Sequence, residues 1–149
     1  MEYLKSGWFT FQGRARRKEY WAKTLAVGIP LGILNGVIYL ISFLLKTLIT
    51  SQDLGCDPGV LAIVVDVLYY VATGVVNLVG IALVLGVQVR RLHDRNMPGW
   101  VVALLVLVSF IPCCNCIGGL FQLIVLGCLD GVQGANAYGP DPKAMDVAA

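Results

Sequence analysis

The chain has 149 residues, 58% of them hydrophobic and only 13% charged, with a formal net charge of +2. A soluble domain is roughly 45–50% apolar and about 25% charged, so this composition, with a mean hydropathy of +0.78, excludes an ordinary water-soluble fold. So small a positive charge also gives no reason to expect a nucleic-acid partner.

The first 23 residues form a basic, aromatic-rich arm containing Tyr3, Trp8, Phe9, Phe11, Tyr20 and Trp21. Interleaved rings and cations suit a headgroup region, although an ordinary span entrance has the same character. Three apolar segments follow: Thr24–Leu45, Val60–Val89 and Trp100–Leu129. A transmembrane helix needs about 20 mostly apolar residues, and the first two segments exceed that. The first is too long for a signal peptide and is followed by no clear small-residue cleavage site, so it is expected to be retained. Lys5, Arg14, Arg16, Arg17, Lys18 and Lys23 precede it, and Arg90, Arg91 and Arg95 follow the second. The connection Thr47–Gly59 carries only Asp53 and Asp57. The positive-inside rule therefore predicts a cytoplasmic N-terminus and an outer first loop.

The third segment is broken by Pro112, Asn115, Gly118 and Gly119. As one straight helix it is about 45 Å long, too long for a hydrocarbon core of roughly 30 Å. It is either one kinked crossing or a tight hairpin of two short helices, and the cluster of breakers favours the hairpin. Residues 130–149 then form a polar cytoplasmic tail rich in Gly and Pro. The expected fold is an all-α integral membrane protein, a small multi-pass bundle of three or four helices.

Three polar clusters gather on the cytoplasmic side. They are Phe11-Gln-Gly13-Arg14-Ala-Arg-Arg17-Lys-Glu19-Tyr20-Trp21, then Arg90-Arg91-Leu92-His93-Asp94 with Gly99-Trp100, then Gly131-Val-Gln-Gly134-Ala-Asn136-Ala-Tyr138-Gly139-Pro140-Asp141-Pro142. In this order they resemble the signature of the bacterial inner-membrane family named domain of unknown function 805, the YhaH-like proteins. The pattern departs from the family's in having Pro98 before Gly99, a single Trp there, and a long outer loop. The resemblance implies a multi-pass inner-membrane protein and carries no established activity.

An arginine's planar fork pairs with a carboxylate or with a phosphate. Arg14, Arg17, Arg90, Arg91 and Arg95 are therefore either clamps on Glu19, Asp94 and Asp141, or grips for anionic phospholipid or a partner. His93 beside Asp94 resembles an acid–base pair, but neighbouring helix residues do not face each other and no nucleophile has a predictable place. No catalytic residue, cofactor or metal is expected. Gly131–Pro142 lacks the Lys and Ser/Thr of a phosphate loop and reads as a turn, with Asn136 bonding local backbone. Cys56, Cys113, Cys114, Cys116 and Cys128 behave as small apolar residues, as a soft-metal site, or as a disulfide. If the hairpin tip lies outside, Cys56 pairs with Cys113, Cys114 or Cys116.

Within the spans, Gly28, Gly32 and Gly36 form a small-residue stripe that admits another helix. Asp66, Tyr70, Thr73 and Asn77 share one face of the second span. Asn35 and Asn77 both lie near the midplane, and pairing them sets an antiparallel register whose residue numbers sum to 112. That register brings Lys46 level with Asp66, Ser42 with Tyr70, Tyr39 with Thr73, Gly32 with Gly80 and Thr24 with Gln88, and sets Glu19 near His93. The favoured function is a non-enzymatic scaffold or accessory protein, with a homo-oligomer or membrane-protein partner allowed. A small channel or transporter using the Asp66–Asn77 face is the alternative, and an enzyme acting on a lipid headgroup is third.

Overall fold

The computed structural model describes residues 7–51, 57–109, 111 and 115–147. Among them are two long helices, α1 (Arg17–Ser51, 35 residues) and α2 (Pro58–Asp94, 37 residues). Three shorter helices follow: α3 (Val101–Ser109), α4 (Asn115–Phe121) and α5 (Pro142–Val147). A π-helical stretch, Gln122–Cys128, continues α4. The described residues contain no strand, only an isolated bridge between Asn136 and Gly139.

Both long helices outrun their apolar segments. Hydropathy marks where lipid begins, whereas a helix continues through any residues that favour it. Arg17, Lys18 and Glu19 are good helix formers, and Glu19 in the first turn complements the positive end of the helix dipole. The start of α2 is set locally. Asp57 caps it, its Oδ1 accepting from Gly59 N at 2.8 Å, and Pro58 takes the first helical position, where no N–H is needed. Its end is a Schellman turn: Met97 N donates to Leu92 O, Asn96 N donates to His93 O, and Asn96 holds φ +58°. The tail helix α5 repeats the Asp-Pro start, with Lys143 N donating to Asp141 Oδ1 at 2.8 Å.

The described chain divides into two compact units, Val27–Ile81 and the residues up to Ala26 together with those from Ala82 onward. In the second, Ala15, Tyr20, Val87, Leu92, Val102 and Leu126 form a small buried core. Val102 lies in the first turn of α3 and Leu126 near the end of the π-helical stretch, yet both belong to this core. The chain therefore leaves this core at α3 and returns to it after α4. In the first unit α1 and α2 run antiparallel, joined by the Lys46–Asp66 ion pair.

Candidate functional site

The polar end of the molecule is built where two helix C-termini, a turn and the tail meet. The last carbonyls of a helix have no partners within it and carry partial negative charge. Here the last three carbonyls of the helix that ends at Cys128, and the two carbonyls beyond it, receive side-chain donors. Arg91 Nε reaches Leu126 O at 2.9 Å, Trp21 Nε1 reaches Gly127 O at 3.0 Å, and Arg17 Nη1 reaches Cys128 O at 2.9 Å. Arg91 Nη2 then bonds Leu129 O at 2.6 Å, and Arg95 Nη1 bonds Asp130 O at 3.2 Å. The tail caps α2 in turn, through Val132 N to Asp94 O at 2.9 Å and Asn136 Nδ2 to His93 O at 2.8 Å.

Asp94 lies at the centre, buried, taking Arg14 Nε on Oδ1 at 2.9 Å and Arg91 Nη1 on Oδ2. Arg14 spends its remaining donors on the carbonyls of Val132, Gly134 and Gly139. Arg91, 1% exposed, also donates to Ala15 O. Two guanidiniums against one carboxylate leave a surplus positive charge, which the converging carbonyl dipoles offset. A second buried cluster joins Glu19 Oε1 to Lys23 Nζ at 3.0 Å and to Arg90 Nη2 at 2.7 Å. Lys23 is wholly buried and stands 5.4 Å from the centre of the Trp8 ring.

Arg17 and Lys143 stand at the rim of this core. A cleft over Asp94 is lined by five cations, Arg14, Arg16, Arg17, Arg91 and Lys143, and three carboxylates, Asp94, Asp130 and Asp141. It encloses about 20 Å³, room for roughly one water, so its chemistry is that of a basic rim and not of an enclosed substrate pocket. The side chains of Arg17 and Lys143 are 49% and 62% exposed, with Asp130 between them at 3.8 and 3.4 Å. Those cations hold the Asp130 carboxyl below its usual pKa, the hydrogen bond from Lys143 contributing most.

A family model described as a protein of unknown function, DUF805, matches residues 8–140. The chain belongs to the DUF805 family. It is 40% identical over 134 residues to the inner membrane protein YhaI of Escherichia coli K12, an alignment covering 89% of this chain and 86% of that protein. It is 34% identical over 143 residues to the inner membrane protein YhaH of the same strain, covering 95% of each. No solved structure matches. With two helices long and apolar enough to cross a bilayer and relatives that are inner membrane proteins, this DUF805 chain is an all-α, multi-pass membrane protein.

The structure divides the sequence-predicted residues. Arg14, Arg90, Arg91, Glu19 and Asp94 are tied inside the two buried clusters, while Arg17 faces outward. His93 does not face Asp94. Its ring stacks on Tyr138 with centroids 3.9 Å apart, and Nδ1 lies 3.3 Å from Gly13 O. Asn136 Oδ1 accepts locally from Tyr138 N, and its amide also reaches across to α2. Asp141 takes Gly134 N as well as Lys143 N.

The asparagine pair of the register is a correction. Asn35 Nδ2 donates to Leu31 O of its own helix at 3.0 Å, and its Oδ1 has no partner. A mid-helix amide can reach back one turn, so burial alone does not demand a partner on the next helix. Thr73 does the same with Tyr69 O, Tyr39 meets the Tyr69 ring, and Gln88 bonds Gln122. Glu19 meets Arg90, almost one turn from His93. Gly80 receives the Leu31 side chain, and a β-carbon at Gly28, Gly32 or Gly36 would touch nothing. The stripe therefore faces no helix among the described residues. Cys56, Cys113 and Cys114 lie outside the described residues, and Cys116 and Cys128 are free thiols.

Sequence reasoning missed the bond from Trp21 to Gly127 O, the burial of Lys23 and the glycines that admit close neighbours. A β-carbon at Gly131 would fall on the Asp94 carboxylate, and one at Gly127 would lie 2.6 Å from Trp21. The signal for these was slight: glycines just before and just after Asp130.

The tail's attachment is expected to depend on pH. Burial holds His93 below its ordinary pKa of about 6.5, against the weaker pull of the Gly13 carbonyl. His93 stands beyond the apolar stretch 60–89 of α2. Its depressed pKa means that the undocked state binds the proton more readily, so docking is complete above pH 6.5 and weakens as pH falls toward the docked value. Asp141, held low by the Lys143 and Gly134 amides, adds a second loss only below about pH 4. Hydrogen exchange at Val132 and Tyr138 is expected to be flat from pH 8 to 7, after correction for the intrinsic rate, and to lose protection below 6.5. His93→Phe, which keeps a ring without a titrating group, removes the first step.

Proposed function

We propose that this protein is a non-enzymatic scaffold of the bacterial inner membrane whose cytoplasmic basic rim engages anionic phospholipid. The observation that carries this reading is the division of labour among the cations. Arg14, Arg90 and Arg91 are consumed in holding helix ends and tail together, whereas Arg17 and Lys143 stand exposed over a cleft with more cations than carboxylates. An arginine fork matches a phosphate, and a cation near an anionic surface contributes about 1 kcal/mol. The segregation of Lys and Arg to the flanks of the first two spans supports a cytoplasmic rim.

Lipid retention tests it. In nanodiscs of mixed phosphatidylglycerol and phosphatidylcholine, native mass spectrometry of the intact protein is expected to show phosphatidylglycerol enriched. The double reversal Arg17→Glu with Lys143→Glu is expected to reduce that enrichment about tenfold or more, from two cations at about 1 kcal/mol each. Enrichment unchanged by the double reversal would remove the reading.

A further inference from the structure

The unit Val27–Ile81 contains a second feature that the basic rim does not use. Between α1 and α2 an apolar groove of about 180 Å³ is lined by Ile38, Ser42 and Leu45 on one side and Val65, Leu68 and Ala72 on the other. It runs about 10 Å along the helices, from Leu45 and Val65 down to Ile38 and Ala72. The residues next to its upper end are Lys46 and Asp66, which form an ion pair with both side chains about two-fifths exposed. A groove that is apolar along its length and carries one cation and one anion at its mouth is the complement of an amphiphile with a dipolar head.

The sequence agrees. Lys46 directly follows the apolar segment Thr24–Leu45, and Asp66 lies six residues into the segment Val60–Val89, about 9 Å from its start. The ion pair therefore falls near the ends of the two apolar segments that the Thr47–Gly59 connection joins, with the groove running beside it along the apolar residues. Tyr69 lines the groove and packs edge to face with Tyr39 and Tyr70, centroids 6.3 and 5.2 Å apart.

We infer that α1 and α2 hold a zwitterionic phospholipid of the ethanolamine class, with the first part of one acyl chain along the groove and the headgroup across Lys46 and Asp66. Lysine offers three N–H donors and the ion pair uses one, leaving others for the lipid phosphate. Aspartate offers about four acceptor positions, leaving room for N–H bonds from a primary ammonium. Phosphatidylcholine has the same charges but no N–H to donate. Phosphatidylglycerol has the phosphate and no ammonium. The site therefore selects ethanolamine over both, independently of the basic rim.

The test is competition among the three lipids at equal mole fraction, read by native mass spectrometry of the full chain released from nanodiscs. Wild type is expected to retain phosphatidylethanolamine over phosphatidylcholine by about fivefold, the factor one hydrogen bond supplies. Asp66→Asn is expected to bring that ratio close to one, and Ala72→Leu, which fills the groove, to lower retention of all three. Ser42→Leu fills the same groove from α1, so a folding failure in one variant leaves the other to decide. Equal retention of ethanolamine and choline lipids by wild type, or full retention by both filled-groove variants, overturns the site. Loss of phosphatidylglycerol enrichment on reversing Arg17 and Lys143 bears on the basic rim alone.

Discussion

Replacing Arg91 by methionine is expected to destabilise the fold by about 3–5 kcal/mol, the cost of breaking a buried ion pair from one side. The loss comes from several groups at once. Asp94 keeps only Arg14, and the carbonyls of Leu126, Leu129 and Ala15 lose the donor that reached them. A buried polar group left without its partner costs about 1–3 kcal/mol, so methionine's fit to the apolar part of the site does not compensate. Unfolding in detergent, followed by circular dichroism, measures it. Arg17→Gln is the comparison: its partner Asp130 is exposed at 3.8 Å, and such surface pairs contribute about 1 kcal/mol or less. Equal losses in the two variants would mean that Arg91 does not organise the centre.

The second large effect is expected at Gly86, where a β-carbon would fall on the Trp8 carbonyl oxygen and lie 3.3 Å from that of Thr10. The obstacle is backbone, so no side-chain rotation relieves it, and in Gly86→Ala the arm must lift from α2. Overpacking of this kind costs about 1–3 kcal/mol. It also uncovers Lys23 and Arg90, whose donors reach Gly7 O at 3.5 and 3.4 Å. Chymotrypsin cleavage after Phe9 and Phe11 is expected to accelerate. Gly28→Ala meets nothing within 4 Å and exchanges glycine for a better helix former, so it is expected to be neutral or stabilising by up to about 1 kcal/mol. The same cleavage rate in both variants would contradict the packing of the arm on α2.

The features legible in the sequence are those with a local cause. Long apolar runs gave the two spans, whereas the Asp-Pro pair of the tail, read as part of a turn, starts the short helix α5. The Lys46–Asp66 pair followed from the antiparallel register, and the structure contains it. The Asn35–Asn77 bond that suggested the register is not formed, because Asn35 finds its acceptor four residues back on its own helix. Least legible was the polar end itself. The bonds from Arg14, Arg17, Trp21 and Arg91 to the carbonyls of 126–139 cross 35 to 125 residues of chain and end on backbone atoms, whose partners no residue type announces. The three clusters of polar residues showed that something is assembled there, but not which arginines are consumed and which are exposed.

The central claim is that arm, helix ends and tail assemble on one side of the membrane, with α3 and α4 returning the chain to the side it left. Arg14 on the arm bonds the carbonyls of Val132, Gly134 and Gly139 on the tail, contacts that no side chain makes across a bilayer. Topology reporters placed before Met1, after Gln52 and after Ala149 measure this directly. The expected result is a cytoplasmic signal at both ends and an external signal after Gln52. An external signal after Ala149 with a cytoplasmic one before Met1 would contradict it.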